Sequence, residues 1–290
     1  MQSYLTPEPI VVEIRNAAGH VTIDLADTNT TTVDVVQLQG TGLNIIDDLV
    51  SSFRRGPQPD QGHDAIDDVR VDLQVQESGT VLIVDTDPAR NGWRSAFGIR
   101  ITAPESSGLR TQTQSADVRV TGRADRLDVR TASGDVQADR VERGSLVQSA
   151  SGDIRIAEIG ADAELRSVSG DVTVQHCGGS LSVHSTSGDV RIEQPEQDVF
   201  VRTVSGDVTI LDATNGVLQA TAVSGDIAIG VHPGSAAKID LSTMAGDTRN
   251  DFEVNDEPLA PLVDGAEAGR LEITCRTTSG DIRLRRAAIV

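Results

Sequence analysis

The tripeptide Ser-Gly-Asp returns along this chain at a fixed interval, and that interval constrains the fold more than any other property of the sequence. The turns read Ser-Ala-Asp ending at Asp117, then Ser-Gly-Asp ending at Asp135, Asp153, Asp171, Asp189, Asp207 and Asp226. Ala-Gly-Asp follows at Asp247 and Ser-Gly-Asp at Asp281. Successive aspartates lie 18 residues apart five times, then 19, 21 and 34. A sustained internal period in this range marks stacked repeats, each too small to bury its own apolar face.

Aligning the repeats on the aspartate exposes the columns. Eight residues before it stand Leu127, Ser145, Ala163, Leu181, Val199 and Leu218, and six before it Val129, Val147, Leu165, Val183, Val201 and Ala220. One after it come Val136, Ile154, Val172, Val190, Val208 and Ile227, and three after it Ala138, Ile156, Val174, Ile192, Ile210 and Ile229. Alternation of this kind belongs to β-strands with one face inward. Each repeat therefore reads as two short strands around a turn. Val141, Ile159 and Cys177, six after the aspartate, form a further inward column and suggest another wall.

The expected fold is all-β: a single-stranded β-solenoid, a parallel β-helix of coils about 18 residues long. Rungs would lie about 4.8 Å apart, so the nine turns imply a stack of roughly 40 Å. The crossover preference of parallel strands points to a right-handed coil. A left-handed triangular coil of three hexapeptides fits the same length, but the apolar positions do not recur every six. Glycine at the turn is expected to supply a positive φ, with serine and aspartate satisfying the turn's backbone. Ala116 replaces glycine in the first turn and suggests a different turn there.

The composition fits a narrow interior. Hydrophobic residues make up 38% but aromatics only 2%, so Val, Ile, Leu and Ala must fill the core. A net charge of −19 argues against nucleic acid and anionic membrane surfaces as partners. Lys238 is the only lysine. No stretch of 18 apolar residues provides for membrane insertion by a helix. The opening MQSYLTPEPIVVEIRNAAG lacks a basic start followed by an apolar run, which leads us to expect a cytoplasmic protein.

Two regions are expected: an N-terminal β cap over 1–100 and the solenoid over 101–290. RNAAGHVTI places His20 where an aspartate would sit, and QESGTVLIV places Thr80 there, so 10–37 and 67–84 read as degenerate opening rungs. Residues 38–66 interrupt them. LNIIDDLVSSFRR over 43–55 has helical spacing, followed by a loop. Trp93 and Phe97, in 89–98, are expected to seal the join, ahead of a strand ending at Pro104. Residues 249–269 read as a protruding acidic loop, after which RLEITCRTTSGDIRL closes the stack.

Candidate chemistry is sparse. Stacked carboxylates at this spacing repel by nearly ~1 kcal/mol per pair even at water's dielectric. Backbone N–H groups and outward arginines two residues on, such as Arg119, Arg155 and Arg191, are expected to offset that. A calcium ladder would need six to eight oxygens per ion, and one aspartate per turn supplies too few. Cys177 and Cys275 fall in inward columns several rungs apart and read as free core thiols. His184 shares an outward column with Arg130, Gln148, Arg166 and Arg202. His20, His63 and His232 have no motif around them, and no nucleophile elbow, phosphate loop or dinucleotide fingerprint occurs. The sequence thus nominates no catalytic, cofactor or metal residue.

The run TASGD, SASGD, SVSGD, STSGD, TVSGD and AVSGD resembles the bacterial β-strand-repeat family of unknown function that carries the label of candidate adhesin. QSADVRVTG followed by LDVRTASGDV is similar to its opening rungs, and CRTTSGDIRLRRA to its close. The likeness is specific over 113–290 and looser before residue 100. It implies a β-solenoid and brings no site residues with it. The leading expectation is a non-enzymatic scaffold binding a protein partner or copies of itself. A surface or glycan-binding adhesin and a carbohydrate-active parallel β-helix enzyme are the alternatives.

Overall fold

The computed structural model describes residues 1–38, 69–76, 79–86, 96–252 and 270–287. The chain forms two compact units, Met1–Gln137 and Ala138–Val290. The described residues contain strands and turns and no helix. The helix expected over 43–55, Trp93 and residues 253–269 lie outside them.

Unit 1 holds β1 (Gln2–Leu5), β2 (Val11–Ala26), β3 (Thr30–Leu38), β4 (Arg70–Gln76), β5 (Gly79–Thr86), β6 (Ala96–Pro104) and β7 (Ser107–Thr131). β2 is a full rung. It pairs in parallel with β5 and β6 on one edge and with β7 on the other. The register sets His20 opposite Asp117, so the expected place of His20 in the aspartate column holds. Thr80 does not share that column: the residue opposite His20 on the other side is Gly98. The run expected as a second opening rung is instead a hairpin, β4 antiparallel to β5, and β6 supplies the missing half of the coil. β3 lies antiparallel on β6, and β1 antiparallel on β3. Those reversed strands cover the outermost rung, as solenoid ends require. At Ala116 the strand β7 runs on without a break.

β8 (Val136–Ser149) crosses the division between the units. The strands of unit 2 that follow are β9 (Ile154–Ile159), β10 (Ala163–Ser167), β11 (Val172–Cys177), β12 (Leu181–Ser185), β13 (Val190–Pro195) and β14 (Val199–Ser205). Then come β15 (Val208–Ala213), β16 (Gly216–Ser224), β17 (Ile227–Val231), β18 (Ala236–Ala245), β19 (Thr248–Asn250), β20 (Arg270–Ser279) and β21 (Ile282–Arg286). Every pairing among them is parallel. One wall runs β8, β10, β12, β14, β16, β20, β18. The other runs β9, β11, β13, β15, β17, β21, β19.

That order corrects one expectation. The strand RLEITCRTTSGDIRL does not close the stack, because β20 and β21 slot between the rung of β16 and β17 and the rung of β18 and β19. The interval of 34 residues before Asp281 is a return of the chain to an inner place. Rung order and chain order part company here.

The core is as the columns foretold. Every residue of the four inward columns is buried, Ser145 and Ala163 included at 5% and 6% exposure. The column of Val141, Ile159 and Cys177 is also buried, but it builds no separate wall: Ile159 and Cys177 end β9 and β11, and Val141 lies within the continuous β8. Phe97 is the one buried aromatic among the described residues, in unit 1. The interior of unit 2 is aliphatic. Identical small side chains stacking rung upon rung leave no room for a ring.

Candidate functional site

The turn is the feature the sequence points to, and its geometry decides what it can do. At seven of the turns the aspartate's Oδ1 accepts the backbone N–H of the aspartate on the neighbouring rung. In unit 1 Asp117 takes the N–H of Asp135 at 3.0 Å. In unit 2 Asp153 takes that of Asp171, Asp171 that of Asp189, Asp189 that of Asp207 and Asp207 that of Asp226, all at 2.8–2.9 Å. The ladder then follows rung order: Asp226 accepts from Asp281, and Asp281 from Asp247. At Asp281 this charge-assisted acceptance favours the ionised carboxylate. The carboxyl of Asp281 is held below its ordinary value of 3.8, first by the Asp247 N–H and then by Arg283.

The hydroxyl that satisfies the turn comes from the residue four before the aspartate, and the serine of Ser-Gly-Asp itself points outward. Thr131, Ser149, Ser167 and Ser185 are nearly buried, and their hydroxyls accept the N–H of Gly134, Gly152, Gly170 and Gly188 at 2.9–3.1 Å. From Gly206 onward the turn changes. The N–H of Gly206 reaches the carbonyl of Ser224 on the next rung, and φ is +152°. Thr203, in the same hydroxyl column, is left with a buried Oγ1 that has no hydrogen-bond partner.

Glycine is needed for two different reasons. Gly206, Gly225, Gly246 and Gly280 take positive φ, between +142° and +152°, as expected. Gly134, Gly170 and Gly188 do not. Their constraint is crowding, since a Cβ at Gly170 would stand 2.1 Å from the carbonyl oxygen of Gly152. The rung below forbids a side chain there.

Of the outward arginines, Arg155 pairs with Asp153 at 2.6 Å and Arg283 with Asp281 at 2.9 Å. Arg191 departs from the expectation and pairs with Glu193 at 3.2 Å. Among the described residues no three His, Cys, Asp or Glu side chains converge as around a metal ion. Cys177 and Cys275 are free and buried. Burial, and secondarily the nearby Asp240 carboxylate, pushes the Cys275 thiol up to about 12. His20 is shifted below its ordinary 6.5, first by burial and then by Arg100.

The second corner of the coil carries a partial copy of the ladder that the sequence reading missed. Asp162 Oδ1 accepts the N–H of Ser180 at 2.9 Å, and Asp198 Oδ1 that of Val217 at 2.8 Å. Only alternate rungs have an aspartate there, so no period announces it.

The two walls of unit 2 differ. The large apolar residues that unit 2 exposes among the described residues are Val168, Phe200, Val204, Val217, Val223 and Met244. All six belong to the wall of β10, β14, β16 and β18, either within those strands or directly after β10. The same wall carries Arg166, His184 and Arg202 on adjacent rungs in register, as the outward column predicts. Arg166 is paired with Glu164. The wall of β9, β11, β13 and β15 exposes no large apolar side chain among the described residues.

Periodic stacking, the turn ladder and its return at Asp281 are thus properties of the repeat. The model of the Toastrack DUF4097 family matches residues 63–210 and again 181–285. The chain belongs to this family. Its overlapping matches reflect the repeat, since any run of Toastrack rungs resembles its neighbour. Among solved structures, a candidate cell adhesion protein from Clostridium sporogenes is 9% identical, with 98% of each chain covered and a TM-score of 0.23. A candidate adhesin from Bacteroides fragilis is 15% identical, covering 98% of this chain and 95% of its own, with a TM-score of 0.41. No curated protein matches the chain.

Proposed function

We propose that this Toastrack chain is a non-enzymatic scaffold that holds a protein partner on one wall of unit 2. A single observation carries the reading: the exposed large apolar side chains of unit 2 gather on the wall of β10, β14, β16 and β18. Exposed patches of this kind mark interaction surfaces when they are contiguous. Rungs about 4.8 Å apart bring Val204 and Val223, on neighbouring strands, side by side. Arg202 and the Glu164-paired Arg166 bring guanidinium groups to this wall of an acidic chain, with His184 in register between them, so the partner is expected to be apolar with acidic groups.

The turn aspartates favour the same reading. Their Oδ1 atoms accept rung-to-rung N–H bonds, which occupies them in folding. The two buried, free thiols suit the reducing cytoplasm, which is the compartment we propose.

The test compares the full chain with a Phe200→Ser/Val204→Ser variant as baits in native extract. Both residues are exposed, so the variant should fold with stability within about 0.5 kcal/mol of the parent. Saturable capture by the parent and its loss in the variant are expected. Equal capture by both, or none by either, contradicts the proposal, as does recovery of the protein only from a non-cytoplasmic fraction for its address.

A further inference from the structure

The rung of β18 and β19 ends the stack of unit 2 in an unusual state. β18 pairs with β20 and β19 with β21, and among the described residues no strand lies on their other edges. A strand used on one side only leaves half of its backbone N–H and C=O groups pointing outward. The inward positions of β18 are wet as well. Ala237, Ile239 and Leu241 stand opposite Leu271, Ile273 and Cys275, which are buried, yet they themselves remain partly exposed. In unit 1, by contrast, the reversed strands β3 and β4 cover the outermost rung.

Resting on the reading of the chain as an interaction scaffold, we infer that the free edge of β18 pairs antiparallel with the same edge of a second copy of this chain, Lys238 facing Asp240 of that copy. Three constraints select this arrangement. A second copy offers the same surface, so a two-fold axis across β18 satisfies both edges at once. Residues directly opposite in an antiparallel pair share a face, so inward residues must meet inward ones, and only every second register qualifies. Charge then chooses among those. Centring the pair on Lys238 sets lysine against lysine, and centring it on Asp240 sets aspartate against aspartate. Centring it on Ile239 sets Lys238 against Asp240 twice, Ile239 on Ile239, and Ala237 on Leu241.

Those outward groups already have weak partners within the chain, Glu272 at 2.8 Å from Lys238 and Arg276 at 3.7 Å from Asp240, both well exposed. Charges in a row across the joint extend that network and do not compete with it.

The full chain at tens of micromolar is examined by sedimentation equilibrium, as parent, Lys238→Asp, Asp240→Lys and the double reversal. The parent should be a dimer. Each single reversal places like charges opposite one another at two symmetric sites and should weaken the dimer roughly tenfold or more. The double reversal should restore it. Melting curves confirm that each variant folds. In a second measurement, isotopically light and heavy chains are mixed and coupled with a carbodiimide. Lys238 is the only lysine, and the account expects a mixed-label Lys238–Asp240 cross-link. A monomeric parent, or dimers indifferent to all three variants, overturns the inference; the first outcome includes the case in which the chain's own residues cover the edge. Because the wall variant Phe200→Ser/Val204→Ser leaves β18 intact, a monomer that still captures a partner through that wall refutes this inference alone. A dimer without such capture refutes only the proposal of a partner on the wall.

Discussion

At the scale of single residues, the turn divides its work among three side chains that the sequence motif runs together. The aspartate binds the next rung, the hydroxyl four residues earlier holds its own turn, and the glycine makes room. The hydroxyl column supplies a contrast within one chemistry. Thr131 Oγ1 accepts the Gly134 N–H, whereas Thr203 Oγ1 is buried with no partner. Replacing Thr131 by valine leaves a donor unsatisfied and should cost about 1–2 kcal/mol, while Thr203→Val should be neutral or stabilising by up to about 1 kcal/mol. Chemical denaturation of the two variants measures both. Gly170→Ala should cost about 3 kcal/mol or more, because its Cβ would meet backbone that cannot move without shifting a rung.

Elements repeat the same logic with one exception, the return of β20 and β21 to an inner place. Here the ladder crosses between segments distant in sequence, through the Asp247 N–H on Asp281. The folded carboxyl of Asp281 lies below its ordinary 3.8. A depressed acid contributes stability above that ordinary value and loses it as pH falls through the folded value. The protection of the Asp247 amide, taken relative to the intrinsic exchange rate at each pH, should therefore be high at neutral pH and fall once the pH drops below about 4. Asp281→Asn keeps an acceptor oxygen and should remove that acid step. A profile unchanged by the substitution would contradict the assignment.

For the whole molecule, the strands, the inward columns and the parallel stacking were legible because stacking copies one side-chain pattern from rung to rung. The order of the last rungs was not. Ile239 and Leu241 in β18 match Ile273 and Cys275 in β20 column for column, so pattern alone cannot say which lies beside β16. His20 was placed correctly because its glycine and valine neighbours mimic the repeat, and Thr80 wrongly because a hairpin strand shows the same alternation. The apolar wall was readable in principle. Val168, Val204, Val223 and Met244 each stand three before a turn aspartate, a column overshadowed by the motif beside it. The turn carries the conspicuous chemistry, and the surface beside it carries the candidate interaction.

What began as a conspicuous ladder of acids is, on this account, a set of rung-to-rung acceptors. Amide hydrogen exchange at Asp207, an exposed residue whose N–H donates to Asp189 Oδ1 at 2.8 Å, tests that claim most directly. The Asp207 amide should exchange as slowly as that of buried Val208 in the parent chain, and much faster in Asp189→Ala. Rapid exchange at Asp207 in the parent, or protection that survives loss of the Asp189 carboxylate, would contradict it.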